Sequence, residues 1–372
     1  CGMATATRIA SERNFNFTLD HKAAYLLFLP RTANTILHDC YLTKIEVNSD
    51  NDITSTYTLD PTTGELTGTG TGKRIIVSTG GSGTYANGFP LNNNATSAAT
   101  NGSYVVIKPG VHTLKIRYWV KDVATGTEGT ITKTLSSATY DQNKYYNITA
   151  NLDVKNYDGD HYYMWDAQQQ YWYGYEWTKH LSGNTGQPTL NGSSSSNYPQ
   201  SNSDVSRWYH EGGGSGRFDA TQSCATLPNV NEMTWYAAKG EPRWDADELW
   251  TTMGHLYKGG MWFKKKANIS GFDANKAVDG SDWRTNGNGN NWSVSQTPPD
   301  AADANNYFYL PALGYYDSGQ LDNVGHVGDY WSSSAYAYPW VSYGAYRLGF
   351  NSSGVNVLNR NRNLGFRAEA LQ

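Results

Sequence analysis

The sequence predicts a chain of two parts, an all-β antiparallel sandwich over residues 1–155 and an α+β domain over residues 206–372. Up to about residue 152, short runs of β-branched and aromatic residues alternate with turn residues. All tryptophans except Trp119 lie beyond residue 160, so the composition changes there. A length of 372 residues exceeds one ordinary core, which favours two domains. Residues 156–205, rich in Ser, Asn and Gly, are predicted to form a linker and entry segment.

The first part contains strand signals and no helical stretch. Thr113–Val120 and the segment that begins at Asn147 largely alternate apolar and polar residues, as strands with one buried face do. Short strands at this spacing favour an antiparallel β-sandwich. The predicted strands are Phe15–Leu19, Ala24–Leu29, Tyr41–Val47, Lys73–Val77, Ser103–Lys108, Thr113–Val120, Gly129–Leu135 and Tyr145–Leu152.

The α+β domain combines short helices with strands. The segment Pro228–Gly240 is typical of a short helix that is capped by Asn229 or Asn231 and ended by Gly240. We expect a second short helix at Asp245–Met253. The apolar run that starts at Tyr307 predicts a buried strand that enters a turn.

Near the C-terminus, apolar residues recur at every second position. This period of two predicts strands with one buried face, which a one-residue slip in register would expose. The apolar set is Tyr346, Leu348, Phe350, Val355 and Val357. The opposite face and the following loop would carry Arg347, Gly349, Asn351, Asn356 and the run Asn359–Asn363. A rigid scaffold that presents side chains not dictated by packing predicts a recognition surface.

Composition and charge exclude several classes of function. The formal net charge of −4 and a pI near 6.1 give no attraction to nucleic acid or to an anionic membrane. Only 17% of residues are charged while Gly, Ser, Asn, Thr and Tyr abound, which favours an extracellular β-rich protein. No stretch approaches 18 apolar residues, so no membrane span is predicted.

The three cysteines, Cys1, Cys40 and Cys224, are too few and too widely spaced for a disulfide framework or a zinc site. Cys1 has two interpretations. It is either a residue lipidated during lipoprotein processing or an arbitrary boundary of the sequence.

Five segments follow one another in the N-terminal part. They are His21–Leu29, Cys40–Val47, Ile107–Ile116, Tyr145–Val154 and, as the exit from the domain, Tyr162–Trp172. Their order resembles the fimbrillin-like proteins of Bacteroidetes, which are subunits and accessory proteins of pili. The resemblance covers Phe15 to about Tyr173. The alternative is an unrelated extracellular sandwich. The resemblance implies that the N-terminal domain contacts other pilus subunits.

The C-terminal part resembles a different group of proteins. Thr226–Gly240 is similar to the helix entry of formylglycine-generating-enzyme-like and C-type-lectin-like domains. Phe308–Tyr315, Asp329–Ser334 and Asn363–Arg367 resemble the ending of Bacteroidetes surface domains of that fold and of the variable proteins served by diversity-generating retroelements. The resemblance implies a C-type lectin fold whose C-terminal segment is rewritten at adenine-containing codons.

The positions interleaved with the apolar scaffold match the residue types that such rewriting produces, except Gln320, whose surroundings fit. Tyr338, Trp340 and Tyr343 are either contact or packing residues, because Tyr serves as a rigid contact in antibody paratopes. The candidate ligand-binding residues are Asp317, Gln320, Asp322, His326, Val327, Asp329, Tyr338, Trp340, Val341, Tyr343, Gly344, Arg347, Gly349, Asn351, Ser353, Gly354, Asn356, Leu358, Asn359, Arg360, Asn361, Asn363 and Leu364.

Catalysis and cofactors are not expected. Formylglycine-generating chemistry needs reactive thiols, whereas Cys224 is the only cysteine after Cys40. The sequence has no Gly-x-Ser-x-Gly motif, and its histidines lack metal-ligand spacing. Calcium is the alternative cofactor, since many C-type lectins bind it through oxygen ligands. Arg243 stands where that pattern has Asn or Asp, and a cation there repels calcium.

These observations predict an extracellular, pilus-associated adhesin with no catalytic site and no direct membrane span. The N-terminal domain would contact pilus subunits, and the C-terminal domain would bind a protein or glycan ligand without covalent chemistry. A tip position is favoured over the shaft, because a terminal lectin-like domain leaves no obvious C-terminal strand to donate onward. A structural pilin without its own ligand and an enzyme on the same scaffold are the alternatives.

Overall fold

The computed structural model describes residues 2–54, 56–68, 70, 72–157, 161–175, 196–212, 216–252, 254–337 and 343–372. The chain divides into two compact units. The first comprises Cys1–Val154 with Asp300–Asn305, and the second comprises Lys155–Pro299 with Asn306–Gln372. Strands dominate both units. None of the described helices is long and apolar enough to cross a membrane.

The first unit contains one short α-helix, α1 at Ala98–Asn101, and 3-10 turns at Leu37–Asp39 and Gly83–Tyr85 within the described residues. Its strands are β1 Gly2–Met3, β2 Thr7–Arg8, β3 Phe15–Asn16, β4 Asp20–His21, β5 Ala24–Arg31, β6 Cys40–Ser49, β7 Thr58–Leu59, β8 Leu66–Thr67, β9 Arg74–Ser78, β10 Phe89–Pro90, β11 Ser103–Ile107, β12 Gly110–Asp122, β13 Glu128–Tyr140 and β14 Tyr145–Asn151.

Two sheets form the core of the first unit. In one, β6 pairs with β12 and β12 with β13, all antiparallel, while β9 and β10 pair with the other edge of β6. In the other, β5 lies between β11 and β14. The ring centres of Phe28 on β5 and Tyr118 on β12 are 6.1 Å apart, and both residues are fully buried. The apolar faces of the two sheets therefore pack against each other, as the alternating sequence predicts.

The sheet order corrects the sequence-based expectation in two places. Strand β14 runs parallel to β5, so the sandwich is not wholly antiparallel. The predicted strand Phe15–Leu19 is present only at Phe15–Asn16, where it pairs with the two-residue strand β2. Phe15, Phe17 and Leu19 are exposed, because no second sheet covers this hairpin in the described structure.

The second unit contains α2 at Val230–Lys239, α3 at Trp283–Asn286 and a 3-10 turn at Lys266–Asn268. A further 3-10 turn, Ala304–Asn306, precedes β19. The strands of this unit are β15 Tyr162–Tyr163, β16 Arg243–Thr252, β17 His255–Lys264, β18 Asn290–Trp292, β19 Tyr307–Pro311, β20 Tyr315–Asp317, β21 Gln320–Asp322, β22 Gly328–Ala335, β23 Gly344–Asn351, β24 Gly354–Asn361 and β25 Phe366–Arg367.

The predicted helix at Pro228–Gly240 is confirmed as α2, with Asn229 as its N-cap and Gly240 after its last turn. The Asn229 side chain accepts a hydrogen bond from the backbone N–H of Glu232, and the Glu232 carboxylate accepts one from the backbone N–H of Asn229. This reciprocal capping box satisfies two backbone donors that a helix start leaves unpaired. Val230, Met233 and Ala237 then bury one face of the helix in the core.

Replacing Asn229 by Ala should lower the free energy of unfolding by about 1 kcal/mol, since the N-cap acceptor is lost. The bond from the Asn229 amide to the Ala274 carbonyl would also be lost. Chemical denaturation measures the change. Asn363→Ala, which removes an exposed amide without a helix cap, serves as the control. Equal stability of the two variants would contradict the capping role.

The predicted helix at Asp245–Met253 is wrong, because Arg243–Thr252 forms strand β16. It pairs antiparallel with β17, with an irregularity between Asp245 and Leu249. Leu249 and Trp250 are buried, and the Trp250 indole donates to the Gly259 carbonyl. Pairing with the neighbouring strand therefore overrides the local helical pattern. Met253 lies outside the described residues. The predicted strand at Tyr307 is confirmed as β19, paired with β17.

A six-stranded sheet carries the C-terminal segment, in the order β15-β25-β22-β23-β24-β18. Strands β22, β23 and β24 are antiparallel neighbours, and β18 pairs with the outer edge of β24. One face of this sheet packs on α2, with contacts between Tyr346, Leu348 and Phe350 and the main aromatic core of the second unit. The other face carries Arg347, Gly349, Asn356, Leu358 and Arg360 of the residues predicted for recognition. Asn359 and Asn361 are opposite Tyr346 and Gly344, so they share the face of the buried set.

Candidate recognition face

The hairpin of β23 and β24 has the predicted alternation. Tyr346, Leu348, Val355 and Val357 are fully buried and Phe350 almost so, and all five belong to one core cluster. The register pairs Leu348 with Val357 and Phe350 with Val355, so these side chains share one face. The predicted buried set is therefore confirmed, and the intervening residues point to the opposite face.

A polar row crosses four strands on that opposite face. Asn291 on β18 is opposite Asn356 on β24, Asn356 is opposite Gly349 on β23, and Gly349 is opposite Asp329 on β22. Arg347, two residues before Gly349 on the same strand, points to this face as well. We define these five residues as the polar row.

Arg347 joins Asp329 and Asn356 within the row. Its Nε lies 2.8 Å from Oδ1 of Asp329, and its Nη1 donates to the Oδ1 of Asn356. The guanidinium lies over Gly349, where an added Cβ would collide with it. A residue without a side chain is therefore required at position 349 if Arg347 is to reach across the row.

Burial dominates the electrostatics of this pair. It raises the pKa of Asp329 to about 6, while the positive charges of Arg347 and Arg360 act in the opposite direction. Burial also lowers the pKa of Arg347, which the charge of Asp329 partly offsets. Arg360 is exposed and within electrostatic range of both groups. The charge of the exposed Arg360 therefore acts on both members of the buried Asp329–Arg347 pair.

The expectation of one contiguous exposed face is wrong for part of the set. Arg347 and Asp329 are each only 4% exposed, and Gly344 and Gly349 are also buried. The reason is a second apolar cluster on this side of the sheet, in which Trp331 and Ala345 pack with Trp165, Cys224 and Phe366. The sheet is therefore covered on both faces near β22 and β25.

The remaining candidate residues are at the surface to different degrees. Exposed are Asp317, His326, Tyr343, Asn351, Ser353, Arg360, Asn361 and Asn363. Half-buried are Gln320, Asp322, Val327, Gly354, Asn356, Leu358, Asn359 and Leu364. Tyr338, Trp340 and Val341 lie outside the described residues. We use the name recognition face for the eight exposed residues together with Asn356 and Asn291.

The hairpin of β20 and β21 brings acidic residues towards the same place. The pKa of Tyr315 is raised by burial and by the charges of Asp329, Asp322 and Asp317, so all three carboxylates act on its hydroxyl electrostatically. The pKa of Asp322 is raised by burial and by the charge of Asp317.

Two residues of this region were missed by the sequence-based list. Arg362 lies between the exposed Asn361 and Asn363, but it is only 1% exposed. Its Nε donates to the Gly344 carbonyl, its Nη1 donates to the carbonyls of His210 and Gly212, and its guanidinium lies 4.5 Å from the Trp165 ring centre. Arg362 is therefore a buried structural residue within the predicted polar run. No local sequence signal distinguishes it from its exposed neighbours.

Asn291 is the second missed residue. It is exposed on β18 and precedes Trp292. The Trp292 ring packs on the core, with its centre 6.4 Å from the centre of the Trp283 ring. The alternation of polar Asn291 with apolar Trp292 is a strand signal. The pairing of β18 with β24, which joins distant segments, could not be inferred from this short pattern.

The residues considered for other chemistry are held in structural contacts. Arg243 donates to the Tyr307 hydroxyl and forms an ion pair with Glu241 at 3.5 Å. Cys224 is fully buried, and burial raises its pKa to about 12, so the reactive thiolate is disfavoured. Within the described ranges, no group of three or more His, Cys, Asp or Glu residues is arranged to hold a metal ion.

Comparison with known proteins shows limited likeness. No family model and no curated protein matches the chain. The chain is similar to a candidate cell adhesion protein of known structure from Bacteroides fragilis, at 15% identity and a TM-score of 0.24, over 36% of this chain and 42% of that one. A second such protein, from Bacteroides ovatus, gives 14% identity and a TM-score of 0.24, over 37% and 42%. The chain thus spans less than half the length of either.

Proposed function

We propose that this protein is a cell-surface adhesin that binds a protein or glycan ligand non-covalently through the recognition face. The supporting observation is the arrangement of the C-terminal sheet. Its apolar side chains are buried, whereas Arg360, Asn361 and Asn363 are exposed at the end of β24 and just after it. Amide and guanidinium groups on a rigid sheet can form directional hydrogen bonds with a ligand at little entropic cost.

The N-terminal β-sandwich is the part proposed to join the protein to a pilus. Its segments resemble fimbrillin-like subunits, which implies partners of the same kind. A position at the pilus tip suits a subunit whose second unit binds a ligand, because a subunit at the tip meets that ligand first. Binding by the second unit alone would be sufficient for the adhesin function.

Replacing Arg360, Asn361 and Asn363 together by Ala should weaken ligand binding at least tenfold, since three exposed contacts are removed. Immobilised mucin is a suitable probe because it presents protein and glycan together, and biolayer interferometry with the full chain measures the affinity. The melting temperature should change by no more than a few degrees, because surface substitutions of this kind usually alter stability by less than about 0.5 kcal/mol.

The matched control replaces Asn92, Asn275 and Lys276, which are exposed and lie outside the recognition face. It should bind mucin as the unmodified protein does. Absence of mucin binding by the unmodified protein, or an equal loss in both triple variants, would refute binding through the recognition face.

A further inference from the structure

A small cleft lies beside the segment Trp208–Glu211 in the second unit. It encloses about 200 Å³ and uses none of the recognition-face residues. Sites for drug-sized molecules enclose roughly 300–1,000 Å³, so this cleft fits a ligand of one ring. We name it the His210 cleft.

Two aromatic rings line one part of the cleft. The ring centres of Trp208 and Tyr209 are 4.9 Å apart, and both rings are half-buried. The Trp208 indole donates to the Glu211 carboxylate at 2.9 Å, which fixes the ring and occupies that carboxylate. The Tyr209 hydroxyl forms no hydrogen bond within the described structure. The rings offer apolar faces together with one free polar group.

A buried carboxylate orients His210 in the cleft. Nδ1 of His210 lies 2.8 Å from Oδ2 of Asp166, which is fully buried. The two oxygens of Asp166 also accept backbone N–H groups of Thr221, Gln222 and Cys224. With these donors around Asp166, the neutral imidazole carries its proton on Nδ1 and leaves Nε2 as an acceptor. The same carboxylate therefore holds two walls of the cleft, His210 and residues 221–224.

Three amides at the cleft form no hydrogen bond to any described residue. The side chains of Gln168, Asn202 and Gln222 line it and form no hydrogen bond in the described part of the chain. Each amide offers two N–H donors and a carbonyl acceptor. Gln222 is the best fixed of the three, because its backbone N–H is bound to Asp166.

We propose that the His210 cleft binds a neutral saccharide, as a monosaccharide or as the terminal residue of a glycan. Each sugar hydroxyl both donates and accepts, which matches the free amides and the imidazole acceptor. The C–H face of a pyranose ring can lie on the aromatic rings. The proposal concerns a second site and does not depend on the recognition face.

The nearby cations do not favour an anionic ligand. The guanidinium of Arg207 is bound to the Asp204 carboxylate and to backbone carbonyls. That of Arg362 is bound to the carbonyls of Gly344, His210 and Gly212. Neither arginine lines the cleft, and a neutral polyol fits the amides and aromatic rings that do.

Saturation-transfer NMR on the full chain tests the proposal with methyl α-mannopyranoside, methyl β-galactopyranoside and N-acetylglucosamine as probes. At least one should bind with a dissociation constant in the millimolar range. The double variant Asn202→Ala/Gln222→Ala should weaken that binding at least tenfold. Its melting temperature should stay the same, because neither side-chain amide is hydrogen-bonded to a described residue.

The double variant Asn92→Ala/Asn275→Ala removes two exposed amides elsewhere and should keep full sugar binding. The proposal is overturned if none of the three sugars binds, or if binding survives in the cleft variant. Either result would leave mucin binding through the recognition face intact, so the two failures can be told apart.

Discussion

Replacing Arg347 by Ala is expected to destabilise the second unit by about 3–5 kcal/mol, the usual cost of removing one partner of a buried ion pair. Asp329 would then lie in a site that is only 4% exposed with no other cation of the described residues paired to it, so it would hold an unpaired charge or have to take up a proton. Asn356 would lose its donor from Nη1 as well. Chemical denaturation at neutral pH measures the loss.

The loss should depend on pH. Burial already raises the pKa of Asp329 to about 6, above its ordinary value of 3.8. The folded state therefore holds the proton more tightly than the unfolded chain. The contribution of Asp329 to the free energy of unfolding consequently falls as pH rises from 3.8 to about 6. Without Arg347 the folded pKa rises further. The variant should thus be closest to the unmodified protein near pH 4, where Asp329 is neutral.

A double-mutant cycle separates this effect from a simple loss of packing. Arg347→Ala combined with Asp329→Ala removes both charges, and it should be more stable than Arg347→Ala alone. Arg360→Ala is the control, because Arg360 carries the same group at the surface. If the double variant is less stable than the single one, the buried charge is not the cause of the loss.

Replacing Asp166 by Ala should have the largest effect in the second unit, a loss of about 4 kcal/mol or more. Four donors converge on its carboxylate at 2.8 to 3.1 Å. A buried donor left unpaired costs about 1–3 kcal/mol, which applies in full to the Cys224 N–H and in part to the three part-buried donors. Asp166 also has a φ of 53°, a left-handed conformation that Asp and Asn tolerate better than Ala. Thermal unfolding followed by circular dichroism provides the measurement.

Asp166→Asn is the matched variant, because Asn keeps the left-handed backbone and one acceptor oxygen. It should be more stable than Asp166→Ala and less stable than the unmodified protein. Equal losses in the two variants would show that the carboxylate is not what holds residues 221–224 and His210 together.

The alternation of the terminal strands was predictable because it is local. Tyr346, Leu348 and Phe350 repeat with the period of a strand, and one buried face is enough to fix their direction. The helix at Val230–Lys239 was predictable for the same reason, since Asn229 and Glu232 form its cap within four residues. In both cases the residues that cause the structure lie within the short pattern itself.

The burial of Arg347 was not predictable, because its cause lies far away in the sequence. The outer side of β22 is covered by a cluster that includes Trp165 and Cys224, more than 100 residues earlier in the chain. The strand β16 was missed for a similar reason. Asp245–Met253 has a helical composition, but pairing with β17 decides its conformation.

Gly349 has a consequence for anyone who wishes to diversify this scaffold. A library that randomises positions 329, 347 and 349 independently would consist mostly of destabilised chains, because a side chain at 349 displaces the guanidinium and leaves the carboxylate of Asp329 without its partner. Position 362 should also be held constant, because the buried Arg362 donates to the carbonyls of Gly344, His210 and Gly212. Randomisation at 317, 326, 351, 360, 361 and 363 leaves these contacts untouched, so most members of such a library should fold and differ only in what they bind.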